Sequence, residues 1–128
     1  MNITVTVQQA REPVAVMRLQ GDLDASNFVQ VVDKAREIYQ NPARNLIIDL
    51  SEVPNITSTG LAAIHKVALL YSGVSEEKAH PDLTHSSNAR KFVKLLSPQP
   101  AVDKALETAG MKLFFKVFHD LESALKSF

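Results

Sequence analysis

LIIDLSEVPNITSTGL, residues 46–61, decides the fold. Its first half, Leu46-Ile47-Ile48 with Leu50, is an apolar run with little alternation, which suits a central strand buried on both faces. Pro54 and Asn55 then break the chain, and a helix opens at Ser58 or Thr59 and runs to about Tyr71. The apolar positions of that helix (Leu61, Ile64, Val67, Ala68, Leu70, Tyr71) cover much of its circumference, so it too should be largely buried. A buried strand passing through a short polar loop into a buried helix is half of a parallel βαβ unit.

On the N-terminal side, Ile3, Val5 and Val7 alternate with Thr4, Thr6 and Gln8, and Val14 to Leu19 alternates again across a turn at Arg11-Glu12-Pro13. Two period-two runs at this spacing predict a hairpin. Phe28, Val31, Val32, Ala35, Ile38 and Tyr39 mark one face of a helix that Asp24 or Ser26 can cap and that Asn41-Pro42 ends. On the C-terminal side, Gly73 is a helix stop, and Val74 to Asn88 reads as a long polar loop. Phe92 to Leu96 forms the next strand, and Pro98 and Pro100 open a helix bearing Val102, Ala105, Leu106 and Ala109 that closes at Gly110. Leu113 to Phe118 forms a last strand, and Asp120 caps a final helix with Leu121, Ala124, Leu125 and Phe128. The order is ββαβαβαβα. It predicts one α/β domain over residues 1–128, with a mixed, mostly parallel sheet, right-handed crossovers and a long loop at about 73–90.

Composition narrows the function. The 128 residues include 14 basic and 14 acidic side chains, a balance that argues against nucleic-acid binding and membrane-surface roles. There is no cysteine, which excludes disulfides, thiol nucleophiles and thiolate metal sites. The first residues carry no secretory signal, and no segment reaches the ~20 apolar residues of a membrane span, so a cytoplasmic location without membrane insertion is expected. The four glycines form no phosphate-binding loop, and no nucleophile elbow is present. His65, His80, His85 and His119 are scattered. His65 is expected on an exposed helix edge. His80 and His85 with Asp82 in the long loop lack a third fixed ligand, so a solvated loop is the better reading than a metal site. Phe114, Phe115 and Phe118 read as strand and core residues, because no basic groove accompanies them. The chain is expected to be a binding protein without metal, cofactor or catalytic residues.

Ligands and partners of parallel sheets meet the rim at the carboxyl ends of the strands. Three segments leave such ends: Gly21-Asp22-Leu23-Asp24, Ser51 to Thr59, and Ser97 to Pro100. If the second and third strands pair, Asp22, Asp24 and Asp49 should lie near Thr57, Ser58 and Thr59. Ser58 has two readings. It can cap the helix through its hydroxyl, or it can accept a phosphoryl group, which a helix N-terminus favours. Such a group adds about two negative charges beside Asp22 and Asp24, enough to repel a docked partner. Asp49 either ties down the following loop through backbone N–H groups or touches the partner. Asp22 and Asp24 are either turn and cap residues or part of the same partner surface.

The ordered set Gly21-Asp22-Leu23-Asp24, Leu46-Ile47-Ile48-Asp49-Leu50 and Thr57-Ser58-Thr59-Gly60-Leu61 resembles the STAS family of bacterial anti-sigma-factor antagonists. The likeness extends to Phe92-Val93-Lys94-Leu95-Leu96, to Ala105-Leu106-Glu107-Thr108-Ala109-Gly110 and to Asp120 through Leu125. It implies a STAS-like fold and a partner surface of Asp22, Asp24, Thr57, Ser58, Thr59 and Gly60, with Asp49 in support. It also implies phosphorylation of Ser58 by a partner that is both anti-sigma factor and serine kinase. That partner carries the nucleotide, so the chain needs no cofactor. Thr57 departs from the family's usual Asp, and Thr59 from its frequent Ser. The alternatives are a STAS-type subunit of another signalling or transport complex, not necessarily phosphorylated, and a small-ligand binder at the same rim. A homodimer is left open.

Overall fold

The computed structural model describes residues 1–40, 44–71 and 92–128. Strands β1 (Asn2–Gln9) and β2 (Pro13–Gln20) form the hairpin, in unbroken antiparallel register from Asn2 opposite Gln20 to Gln9 opposite Pro13. Helix α1 (Phe28–Gln40) leads to β3 (Asn45–Glu52), and α2 (Ser58–Tyr71) follows. Strand β4 (Val93–Leu96), α3 (Pro100–Thr108), a single 3₁₀ turn (Met111–Leu113), β5 (Lys116–Phe118) and α4 (Leu121–Lys126) complete the described chain. The sheet order is β1-β2-β3-β4-β5, antiparallel at β1–β2 and parallel elsewhere. The fold is therefore the mixed α/β sheet that the pattern predicts.

Sequential strand order has a geometric consequence. Each parallel crossover moves one place in the same direction, and right-handed crossovers then set α1, α2 and α3 on one face of the sheet. The larger core lies there. Ala15, Met17, Leu19, Leu46, Ile48, Leu50, Val93 and Leu95 meet Val31, Ala35, Ile64, Val67, Val102 and Leu106. Side chains of the opposite parity, Val14, Val16, Ile47 and Leu96, point to the other face. There they pack with Ala124, Phe118, Leu121, Leu125 and Phe128, so among the described residues α4 is the helix that covers this face. The uninterrupted apolar run in β3 thus reflects a strand buried on both sides.

The details depart from the sequence reading in three places. Strand β5 starts at Lys116, not Leu113. Gly110 adopts φ of 72°, and the following residues close a turn with Leu113 N–H donating to Gly110 C=O and Phe114 N–H to Met111 C=O. Such local bonds leave Leu113 and Phe114 no strand partner. Helix α1 begins at Phe28 behind Asn27, whose C=O accepts from Val31 N–H, so neither Asp24 nor Ser26 holds the cap position. His65 is half-buried with its ring edge against Phe114 at 5.7 Å, and burial lowers its pKa below 6.5. The Asn41-Pro42 helix end, the Gly73 stop, the 73–90 loop, His80 and His85 lie outside the described residues. At the C-terminal end, Asp120 accepts from Ser123 N–H at 2.8 Å and caps α4.

Candidate functional site

Beyond the ends of β2 and β3 the chain continues its pairing as two loops laid side by side. Gly21 N–H donates to Glu52 C=O, Leu23 N–H to Asn55 C=O, and Thr57 N–H to Leu23 C=O, each at 3.0 Å. Leu23 and Ile56 form a parallel bridge. Gly21 takes φ of 115°, a conformation that favours glycine, and so turns the chain out of β2. The segment bearing Asp22 and Asp24 is therefore fixed against the segment bearing Thr57 and Ser58 by backbone bonds.

Gly60 sets how closely the two loops approach. A Cβ at this position would overlap the Leu23 carbonyl oxygen and come within 2.8 Å of Ile56 Cγ1. Only glycine lets the first turn of α2 sit against the Asp22–Asp24 turn. Thr57 caps that helix, because its Oγ1 accepts from Gly60 N–H at 3.2 Å. Ser58 is the first residue of α2 and is exposed. The capping reading of Ser58 thus gives way to Thr57, one residue earlier. Thr59 is partly covered.

The acidic turn is braced by residues that sequence reasoning passed over. Asn27 is 7 % exposed. Its Nδ2 donates to Asp22 C=O at 2.7 Å, and its Oδ1 accepts from Asp24 N–H at 3.0 Å. The signal for it was its place, an Asn one residue ahead of the Phe28 stripe. Asn55 Nδ2 donates to Asp22 Oδ1 at 3.2 Å, linking the two loops through side chains. Asp24 accepts from both the hydroxyl and the amide of Ser26, and these bonds hold its carboxyl below 3.8. The third loop is tied in by Gln99, whose Nε2 donates to Ser51 C=O at 2.8 Å.

Asp49 does not join this cluster. It shares parity with Ile47, on the sheet face away from α1, α2 and α3. There it is 3 % exposed, paired with Arg18 Nε at 3.0 Å and accepting from Ser51 N–H at 2.9 Å. The rim thus gathers Asp22, Asp24, Thr57, Ser58, Thr59 and Gly60, with Asp49 beneath it on the opposite side. Gly21 to Asn27 and Ser51 to Thr59 contain three carboxylates, Asp22, Asp24 and Glu52, and no Lys or Arg. Among the described residues, no group of three His, Cys, Asp or Glu is placed to hold a metal ion. Nor is any helix among them long and apolar enough to cross a membrane.

Known proteins give the arrangement a context. No curated protein matches the chain. Solved structures do, at low identity and over most of their length. A candidate anti-sigma factor antagonist from Thermotoga maritima superposes with a TM-score of 0.74 at 15 % identity, covering 97 % of this chain and 92 % of that one. The anti-sigma factor antagonist SpoIIAA in its unphosphorylated form gives 0.61 at 18 %, covering 96 % and 94 %. A sulfate transporter family protein from Wolinella succinogenes gives 0.58 at 16 %, covering 88 % and 82 %. Likenesses at this identity establish the fold alone. The family model for the STAS domain matches residues 5–72, more than half of the sequence and the part that builds the hairpin, both loops and α2. With the paired loops, the glycine contact and the capped helix in place, the chain belongs to the STAS domain family.

Proposed function

We propose that this protein is an anti-sigma-factor antagonist: its rim binds an anti-sigma factor with serine-kinase activity, and phosphorylation of Ser58 ends that binding. The observation that carries the reading is the division of labour at the start of α2. Thr57 caps the helix, and Ser58 stands exposed at its first position. A phosphoryl group there gains from the helix dipole and the early N–H groups. The two loops offer no Lys or Arg to neutralise it beside Asp22, Asp24 and Glu52, so the added charge is presented outward. Val29, 66 % exposed in the first turn of α1, adds an apolar contact next to the acidic turn. Loss of binding then follows from like-charge repulsion and the cost of desolvating the phosphate.

The test uses the cognate kinase with ATP. One phosphate per chain is expected, absent in Ser58→Ala, and Ser58→Asp should weaken binding to the anti-sigma factor by at least about tenfold. Modification at another residue, or none with the true partner, overturns the reading. The Wolinella neighbour and the Thr57 departure favour a second one, a regulatory subunit of a transport complex that binds through the same rim without phosphorylation. Pull-down of transporter subunits with no kinase selects it.

A further inference from the structure

The β1 edge of the sheet has no partner among the described residues. Natural edge strands are usually blunted by charge, proline, a bulge or brevity. Strand β1 has none of these devices. It runs eight residues, Asn2–Gln9, in a continuous register with β2, and contains no charged residue, proline or glycine. Such an edge presents a full row of main-chain donors and acceptors.

The strand is also complementary to itself. In an antiparallel pairing with Val5 on a two-fold axis, Ile3 stands opposite Val7, Thr4 opposite Thr6, and Asn2 opposite Gln8. From Asn2 to Gln8 each position then meets its own chemical kind, and the helix-bearing faces of the two sheets stay on the same side. The surroundings of Ile3 and Val7 complete the match. Helix α1 reaches the start of β1, where Gln30 Nε2 donates to Met1 C=O at 2.9 Å. Ile3 is half-buried there, at the floor of a groove of 380 Å³ walled by Gln30, Asp33, Lys34 and Glu37. Val7, on the same face four residues on, is 55 % exposed. The molecule thus carries an uncovered apolar knob and an open groove at the two positions that the two-fold superimposes. The groove wall carries both signs of charge, in Asp33, Lys34 and Glu37.

We propose that two copies of this chain pair antiparallel along their β1 edges, with Val5 opposite its counterpart, so that Val7 of each copy enters the groove between β1 and α1 of the other. The interface is isologous and closes on itself, which leaves no further edge of this kind to extend the assembly. Because the strands of the two copies run in opposite directions, their Ser58 rims lie at opposite ends of the joined sheet, and both stay accessible.

The test is the mass of the full chain by sedimentation over rising concentration. A species of twice 14.1 kDa is expected. Val7→Lys puts a charge on the knob without touching the core, and should weaken the dimer at least about tenfold with an unchanged circular dichroism spectrum. The register is read by cross-linking, since the protein has no cysteine of its own. Thr4→Cys mixed with Thr6→Cys should give a disulfide-linked dimer under oxidation, and neither variant alone should. Ser58→Ala should leave the dimer intact. A monomer at every concentration overturns the proposal, as does a dimer insensitive to Val7→Lys or cross-linking by Thr4→Cys alone.

Discussion

At the residue scale, three residues around the start of α2 have three different jobs. Thr57 closes the helix end, Ser58 faces outward, and Gly60 permits contact with Leu23. The jobs separate in mutants. Thr57→Ala should lower stability by ~1 kcal/mol, the usual worth of an N-cap. Ser58→Ala should change it by less than about 0.5 kcal/mol, as exposed positions without a structural role do. Gly60→Ala forces the loops apart and should cost about 1–3 kcal/mol, the range for an inserted methyl in a packed site. Urea titrations of the three variants check the order, and a larger loss for Ser58→Ala than for Thr57→Ala would contradict it. Asn27 is the fourth decisive residue. Asn27→Ala removes two hydrogen bonds, to Asp22 C=O and from Asp24 N–H, each worth about 0.5–1.5 kcal/mol, and should cost about 1–3 kcal/mol. If the Asp22–Asp24 turn orients the partner, the same change weakens partner binding while leaving Ser58 in place. These roles were only partly visible in the sequence. The Thr-Ser-Thr-Gly run marks a helix start, but which hydroxyl takes the cap depends on where the backbone enters α2, and Leu23 fixes that from 34 positions away.

At the scale of elements, the pairing of β2 with β3 extends past the strand ends into the loops, and this extension makes the rim. Hydrophobic period gave the hairpin, the two buried helices and the doubly buried β3, because burial on one or both faces leaves a direct imprint on residue type. It misplaced the start of β5, where Leu113 and Phe114 have the composition of a strand and the hydrogen bonds of a turn. Helix α4 spans only six residues and has little stability of its own. It is held by the Asp120 cap and by Ala124, fully buried against the second core. Ala124→Asp should therefore undock α4 and expose Val16, Ile47 and Leu96, read as increased binding of a hydrophobic dye with the rest of the sheet still protected from hydrogen exchange. Loss of protection throughout the sheet would show instead that α4 and the main core unfold as one unit.

At the scale of the whole molecule, stability should fall on acidification in two stages. His65 has its pKa lowered by burial, so below 6.5 the unfolded chain binds a proton that the folded chain refuses. Stability then declines as pH drops from 6.5 toward the folded pKa. Asp24 and Asp120 act lower. Their folded pKa values are depressed by the hydrogen bonds they accept from Ser26 and Ser123, so their contribution is complete above 3.8 and is lost as pH falls through the folded values. Melting temperatures from pH 7.5 to 3 should show both declines, and His65→Gln should flatten the first alone. A first decline unchanged in His65→Gln would assign it to other groups. By itself the sequence determined the α/β class, the strand order along the chain, most of the core and the rim as the place to look, since each rests on local periodicity and chain-order rules. Tertiary structure alone decided that Asp49 leaves the rim for Arg18 on the far face, that Asn27 and Asn55 hold the acidic turn, and that Gly60 is needed against Leu23. The roles of Asp49, Asn55 and Gly60 come from contacts between segments far apart in the chain, where a side chain's role is set by which neighbour the fold brings to it; Asn27 bonds within its own turn, whose path is set by the pairing of Leu23 with Asn55 and Thr57.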